Sequence, residues 1–147
     1  MKSLFDHTTK EEVLSRLQAL KEDTKPLWGK MTVGQMLWHC QYPLKLAIEN
    51  KNYGKKGNWL ARIFFKKQMY DDKPFRKNLP TLPSLKARES KDFQIEKRLI
   101  EVQIEDLYAV RDRTTWHPHP IFGRFTPEQW GILEYKHLDH HLRQFGV

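Results

Sequence analysis

The chain has 147 residues, a single cysteine, five Trp, eight Phe and a formal net charge of +8. One cysteine excludes an intrachain disulfide, and the aromatic content argues against disorder despite 30% charged residues. The first seven residues lack the apolar stretch of a secretory leader, and no apolar run approaches the roughly 18 residues of a membrane span. A cytoplasmic protein of one domain, residues 1–147, is therefore expected.

In chain order, Thr8 and Thr9 each precede a glutamate by three residues (Glu11, Glu12), a doubled capping-box signal. Val13, Leu14, Leu17 and Leu20 follow at helical spacing, which predicts a first helix from about Lys10 to Glu22. Thr32 and Gln35 form a second capping-box pair. They open a helix whose apolar face carries Val33, Met36, Leu37, Cys40, Leu44, Ala47 and Ile48. Pro43 lies inside it, so the carbonyl of His39 loses its helical partner and a bend is expected there.

Residues 50–58 read as a polar loop. Trp59 to Tyr70 alternates apolar and basic residues and predicts a short extra helix, and Lys73 to Glu89, with Pro74, Pro80 and Pro83, is too proline-rich for one element. Between Lys51 and Asn78 stand nine basic residues (Lys51, Lys55, Lys56, Arg62, Lys66, Lys67, Lys73, Arg76, Lys77) against only Asp71 and Asp72. Nearly all the excess charge thus sits in one long insertion, the kind of segment that forms lids or binding loops. A third long helix is predicted from Ser90 to Arg111, with Phe93, Leu99, Ile100, Val102, Ile104, Leu107, Tyr108 and Val110 as its apolar stripe. After the turn-rich run from Trp116 to Gly123, Thr126, Pro127 and Gln129 start a last helix that ends at Gly146. Four long amphipathic helices without strand alternation make a four-helix bundle, with the basic insertion between helices two and three.

The last helix carries the sharpest chemistry. His137 and His141 stand four apart, which puts their Cβ atoms about 6 Å apart on one face. They continue the stripe begun by Trp130 and Leu133, with Lys136 and Arg143 read as flanking solvent. Two imidazoles at that spacing can converge on one metal ion, and His39 on the second helix is the candidate third ligand. Three neutral imidazoles suit Zn²⁺ first, with Ni²⁺ and Fe²⁺ alternatives, and leave a coordination position open. An isolated pair at this spacing is more often a polar helix face than a metal site, but polar rings turned toward a core need partners.

On spacing alone either His140 or His141 can pair with His137; His140 reads as a surface or supporting residue. His117 and His119 read as part of a turn supporting Trp116 and Phe122, and Cys40 as a core thiol. Glu134, three residues before His137, could serve as base or hydrogen-bond partner, although such a glutamate is ordinarily solvated.

Trp28-Gly29-Lys30-Met31-Thr32, His39 after Leu37-Trp38, His119-Pro120-Ile121-Phe122-Gly123 and the run from His137 to Gln144 together resemble the DinB-like (DinB/YfiT) superfamily, and within it the DUF1569 family. The resemblance implies an up-down-down-up four-helix bundle, commonly dimeric. It also implies a divalent metal on one histidine of helix two and an HxxxH pair of helix four, here His39, His137 and His141, and so favours His141 over His140. Relatives include thiol-dependent transferases and isomerases. The long insertion departs from the compact pattern, so residues of the substrate pocket do not transfer.

Two function classes follow. The first is a metal-dependent enzyme acting by thiol transfer or hydrolysis, in which a low-molecular-weight thiol attacks an electrophilic small-molecule substrate. The alternative is a non-enzymatic module that contacts nucleic acid or another acidic partner through residues 51–78. Aromatics do interleave with the charges there (Tyr53, Trp59, Phe64, Phe65, Tyr70, Phe75), but Trp59, Ile63 and the Phe pair can equally pack the segment onto the bundle.

Overall fold

The structure is a computed structural model and describes residues 1–54, 59–79 and 83–147. Lys55, Lys56 and Pro80, singled out in the sequence, lie outside the described residues. Among those described, regular structure is entirely helical: α1 (His7–Ala19), α2 (Val33–Glu49), α3 (Trp59–Phe64), α4 (Phe93–Ala109) and α5 (Pro127–Gln144), with short 3-10 turns at Lys67–Met69 and Pro83–Leu85.

Helix starts follow local chemistry where a true cap exists. Of the expected capping boxes, those at α2 and α5 form, Thr32 with Gln35 and Thr126 with Gln129, and Pro127 opens the first turn of α5, whereas the one expected from Thr8 or Thr9 at α1 does not. At α4 the Asp92 side chain accepts from Ile95 N, so the helix begins at Phe93 rather than Ser90. Helix α1 departs from expectation by three residues: Asp6 is its N-cap, and Thr8 and Thr9 lie within the first turn. The cause is tertiary. Leu4 N donates to Gly131 O at 3.1 Å and the Leu4 side chain is buried, which pins the chain to α5 just before α1 begins. At the other end Leu20 adopts extended backbone while its side chain enters the core, so α1 stops at Ala19 rather than Glu22. Helix α2 continues through Pro43 and ends at Asn50, whose φ of 46° is left-handed.

The arrangement is a helical bundle: α2 packs on α4 and α5, and α1 packs on α4 and α5. Gly34 lets α2 approach the α4 entry closely, since a Cβ there would lie 2.3 Å from Lys91 O. Polar contacts register the pairs: Gln41 with Glu96 for α2 and α4, Lys10 with Glu105 for α1 and α4, Arg16 with Asp139 for α1 and α5, while Asn50 at the end of α2 donates to Thr115 O in the segment after α4. The core face of α4 is narrower than the stripe read from sequence. Phe93, Ile100, Ile104 and Leu107 are buried, but Leu99 and Val102 are 44% and 53% exposed, because apolar residues on the far side of a helix meet no neighbour within one chain. No helix among the described residues is long and apolar enough to cross a membrane.

The predicted extra helix exists only in part, as α3 followed by the 3-10 turn. Its apolar residues are not packed down: Trp59, Ile63 and Phe64 are each more than 60% exposed. The segment is anchored further on. Lys136 Nζ donates to Gln68 O at 2.6 Å, Asp71 O at 2.8 Å and Asp71 Oδ1 at 2.7 Å. Lys136 therefore does not mark a solvent side; its side chain is 9% exposed and ties the segment to α5.

Candidate metal centre

Helix α2 carries His39 and helix α5 carries His137 and His141 to one level of the bundle. One ring nitrogen from each lies within 4.8 Å of the others. His39 Nε2 and His137 Nε2 are 3.2 Å apart, and the three ring centroids are 4.8–5.1 Å from one another. Two nitrogens about 2.0–2.1 Å from a tetrahedral Zn²⁺ are roughly 3.3–3.4 Å apart, close to the observed spacing.

Hydrogen bonds set the tautomers of two rings. Leu85 O lies 2.9 Å from His39 Nδ1 and, as a carbonyl, can only accept. His39 therefore carries its proton on Nδ1 and a lone pair on Nε2. Gln144 Nε2 donates to Trp28 O at 2.8 Å, which orients the amide so that Oε1 accepts from His141 Nδ1, also at 2.8 Å. The lone pair of His141 is then on Nε2 as well. Such outer hydrogen bonds are what orient histidine ligands in metal sites. His137 Nδ1 is shut off from solvent and has no partner among the described residues. Its Nε2 faces His39 Nε2, which leaves it free to donate there or to join a common ion.

Charge state agrees with this chemistry. Burial, and then the neighbouring imidazoles, hold His137 well below its ordinary range; burial brings His141 down to about 3 and lowers His39. All three rings are neutral near pH 7, the form in which imidazole binds metal. Donor set, spacing and tautomers therefore fit a divalent ion, and these three histidines could hold one.

The remaining candidates lie outside the three-histidine cluster. His140 makes edge-to-face contacts with Trp28 and Phe75, at 5.8 and 6.0 Å between centroids, and its ring lies 5.0 Å from that of His141. His119 is buried, accepts at Nδ1 from Ile121 N and Phe122 N, packs on Phe122 and Trp130, and is brought down to about 4 by burial. It holds the turn, as expected for that run. His117 gives its backbone N–H to Asn50 Oδ1. Cys40 is fully buried with Sγ 3.8 Å from Met36 Sδ; burial pushes its thiol well up, so it is a core residue.

Glu134 overturns the solvated reading. It is 0% exposed, neither carboxyl oxygen has a partner among the described residues, and burial pushes its pKa up to about 8. The clue was its place four residues after Trp130 and four before Leu138, on the buried stripe. The two groups that support the histidine rings carried no such signal. Leu85 contributes only a backbone carbonyl, and Gln144 acts through the turn at Trp28-Gly29. Gly29 sits at φ +80°, where a Cβ would lie 2.6 Å from Gln144 Nε2.

Above the histidines opens a cleft of about 890 Å³, walled by Trp28, Met31, Met69, Phe75 and Leu79 and edged by Lys30 and Lys86. Met69 and Phe75 come from the segment between α2 and α4, so that segment lines part of the cleft. A smaller cleft of about 440 Å³ adjoins it across Trp28, Phe75 and His140.

Comparisons with curated proteins and with solved structures return no match. The family described as "Protein of unknown function (DUF1569)" matches residues 2–146, nearly the whole length. With that coverage, the chain belongs to the DUF1569 family.

Proposed function

We propose that this protein is a metal-dependent enzyme of the DinB-like superfamily, with His39, His137 and His141 holding a divalent ion, Zn²⁺ in preference to Ni²⁺ or Fe²⁺. The observation that carries the reading is the convergence of three neutral rings, two with Nδ1 already engaged so that the lone pair lies on Nε2. The superfamily's up-down-down-up order is supported by the contact pattern. Lys10 meets Glu105 while Lys97 meets Gln18 O, an antiparallel pairing of α1 and α4. Leu4 meets Gly131 and Arg16 meets Asp139, a parallel pairing of α1 and α5. We read the whole chain as one such domain with a basic insertion between α2 and α4.

A three-histidine ion with an open position supplies Lewis acidity and lowers the pKa of a water or thiol beside it. The protein's part is positional. Leu85 O and Gln144 hold two rings in fixed tautomers, the buried setting keeps all three unprotonated, and the apolar walls of the cleft exclude water around a bound small molecule. Thiol transfer from a low-molecular-weight thiol to an electrophile, or hydrolysis, are the reactions this arrangement favours. A homodimer is the assembly we infer; the exposed Ile95, Leu99 and Val102, at i, i+4 and i+7 of α4, form an apolar stripe suited to a second copy.

Elemental analysis of untagged protein prepared without chelators tests the reading, for wild type and the His39→Ala, His137→Ala and His141→Ala variants. Near-stoichiometric metal in wild type, lost in each variant, is expected. A wild type that stays metal-free after reconstitution, or variants that keep their metal, would refute it.

One observation favours a second reading. The aromatics of α3 are exposed between basic residues instead of packed on the bundle, as a surface for nucleic acid or another acidic partner would require. Retention on heparin or an oligonucleotide that falls steeply with salt would support it, and no retention at low salt would end it.

A further inference from the structure

We propose that the cleft over the three histidines selects a small organic anion with an apolar or aromatic body, its anionic group met by Lys30 and Lys86. This deepens the metal-centre reading by naming a substrate class for the same site. What the bound molecule undergoes rests on that reading, whereas the binding itself needs only the cleft.

The first ground is an imbalance of charge. Lys30 and Lys86 line the cleft, and no Asp or Glu lines it among the described residues. Both lysines are exposed, and neither side chain makes an ion pair or hydrogen bond among the described residues. Residues 55–58 and 80–82 contain no acid either, so no carboxylate there can neutralise them. Several charged groups of the adjoining cleft are already committed. Lys136 holds Asp71, Lys77 lies 4.4 Å from the Trp28 ring centre, and Arg16 and Arg143 both hold Asp139. A concave site bearing one sign of charge between low-dielectric walls concentrates the opposite ion.

The second ground is shape and lining. Beside the two lysines the walls are Met31, Met69, Phe75 and Trp28, flexible thioethers and aromatic faces that accept a flat apolar body. The volume of about 890 Å³ suits a molecule of drug-like size rather than an inorganic ion. A cationic ligand would find no carboxylate here, and a purely apolar one would leave both ammonium groups without a counter-charge.

The test compares two fluorescent probes of matched size, dansylglycine, which is anionic, and its neutral amide, at pH 7.5. Binding is measured on wild type and on Lys30→Gln, Lys86→Gln and Lys45→Gln. Lys45 is an exposed α2 residue that does not line the cleft, so its variant controls for overall charge. Protein is used both as purified and after EDTA. Preference for the anion of about tenfold in EDTA-treated wild type, falling several-fold in Lys30→Gln and in Lys86→Gln but not in Lys45→Gln, is expected. Equal affinity for the two probes, a preference indifferent to the cleft lysines, or the same loss in all three variants would overturn the proposal. Metal content measured on the same preparations keeps the two readings apart. A metal-free wild type with lysine-dependent anion binding sinks the metal centre and leaves the anion site standing; a metal-bearing wild type without anion preference does the reverse.

Discussion

Glu134 offers the most direct quantitative check on the electrostatics of this core. Its carboxyl is fully buried and unpartnered, and burial pushes its pKa to about 8 from an unfolded value of 4.5. Between those values the unfolded chain has released the proton and the folded protein still holds it. Stability must therefore fall as the pH rises through that window. The limiting slope is about 1.4 kcal/mol per pH unit, so roughly 3 kcal/mol is lost between about pH 5 and pH 7.5. Glu134→Gln keeps the shape and removes the titration. The buried histidines act in the opposite sense: His119, down at about 4, and His141, at about 3, lose stability as the pH falls below their unfolded value of 6.5. They are common to both proteins and cancel in the difference. Denaturant unfolding of metal-free wild type and Glu134→Gln across that range should give a stability difference that grows in the variant's favour with pH. At the upper end it corresponds to a melting temperature higher by on the order of 10 °C. A difference that stays flat with pH would mean that Glu134 ionises normally, and the argument from burial would fail.

Gln144→Leu removes the acceptor for His141 Nδ1 and the donor to Trp28 O, so metal affinity should drop by about 10–100-fold while helical circular dichroism is retained; an unchanged competition titration would count against the site. Gly34→Ala drives a Cβ toward Lys91 O and should destabilise the contact of α2 with the start of α4 by about 1–3 kcal/mol in urea unfolding. Lys136→Met cuts the three hydrogen bonds that hold Gln68 and Asp71 to α5. Limited proteolysis should then cleave residues 59–79 several-fold faster with the four long helices intact, and unchanged cleavage would mean that the segment is held elsewhere.

The elements that could be read from sequence are those whose signals are local. Thr32 with Gln35 and Thr126 with Gln129 cap their own helices through bonds spanning three residues, and the 3.6-residue repeat brings out the buried faces of α2 and α5. The candidate ligands were legible for a related reason: His137 and His141 share a face by spacing, and His39 lies on a strongly apolar helix. Spacing could not choose between His140 and His141. That choice depends on where α2 lies, and in the fold His39 meets the ring of His141 while His140 turns to Trp28 and Phe75.

Whatever rests on long-range partners was decided by the tertiary structure. The start of α1 follows from Leu4 bonding across to Gly131, and the burial of Lys136 from its bonds to Asp71, 65 residues away in sequence. The support for His39 comes from a backbone carbonyl, which every residue type possesses and no sequence pattern distinguishes. Glu134 belongs here as well. Local propensity treats a glutamate in a helix as solvated, and only the closing of the bundle around it takes that carboxyl out of water.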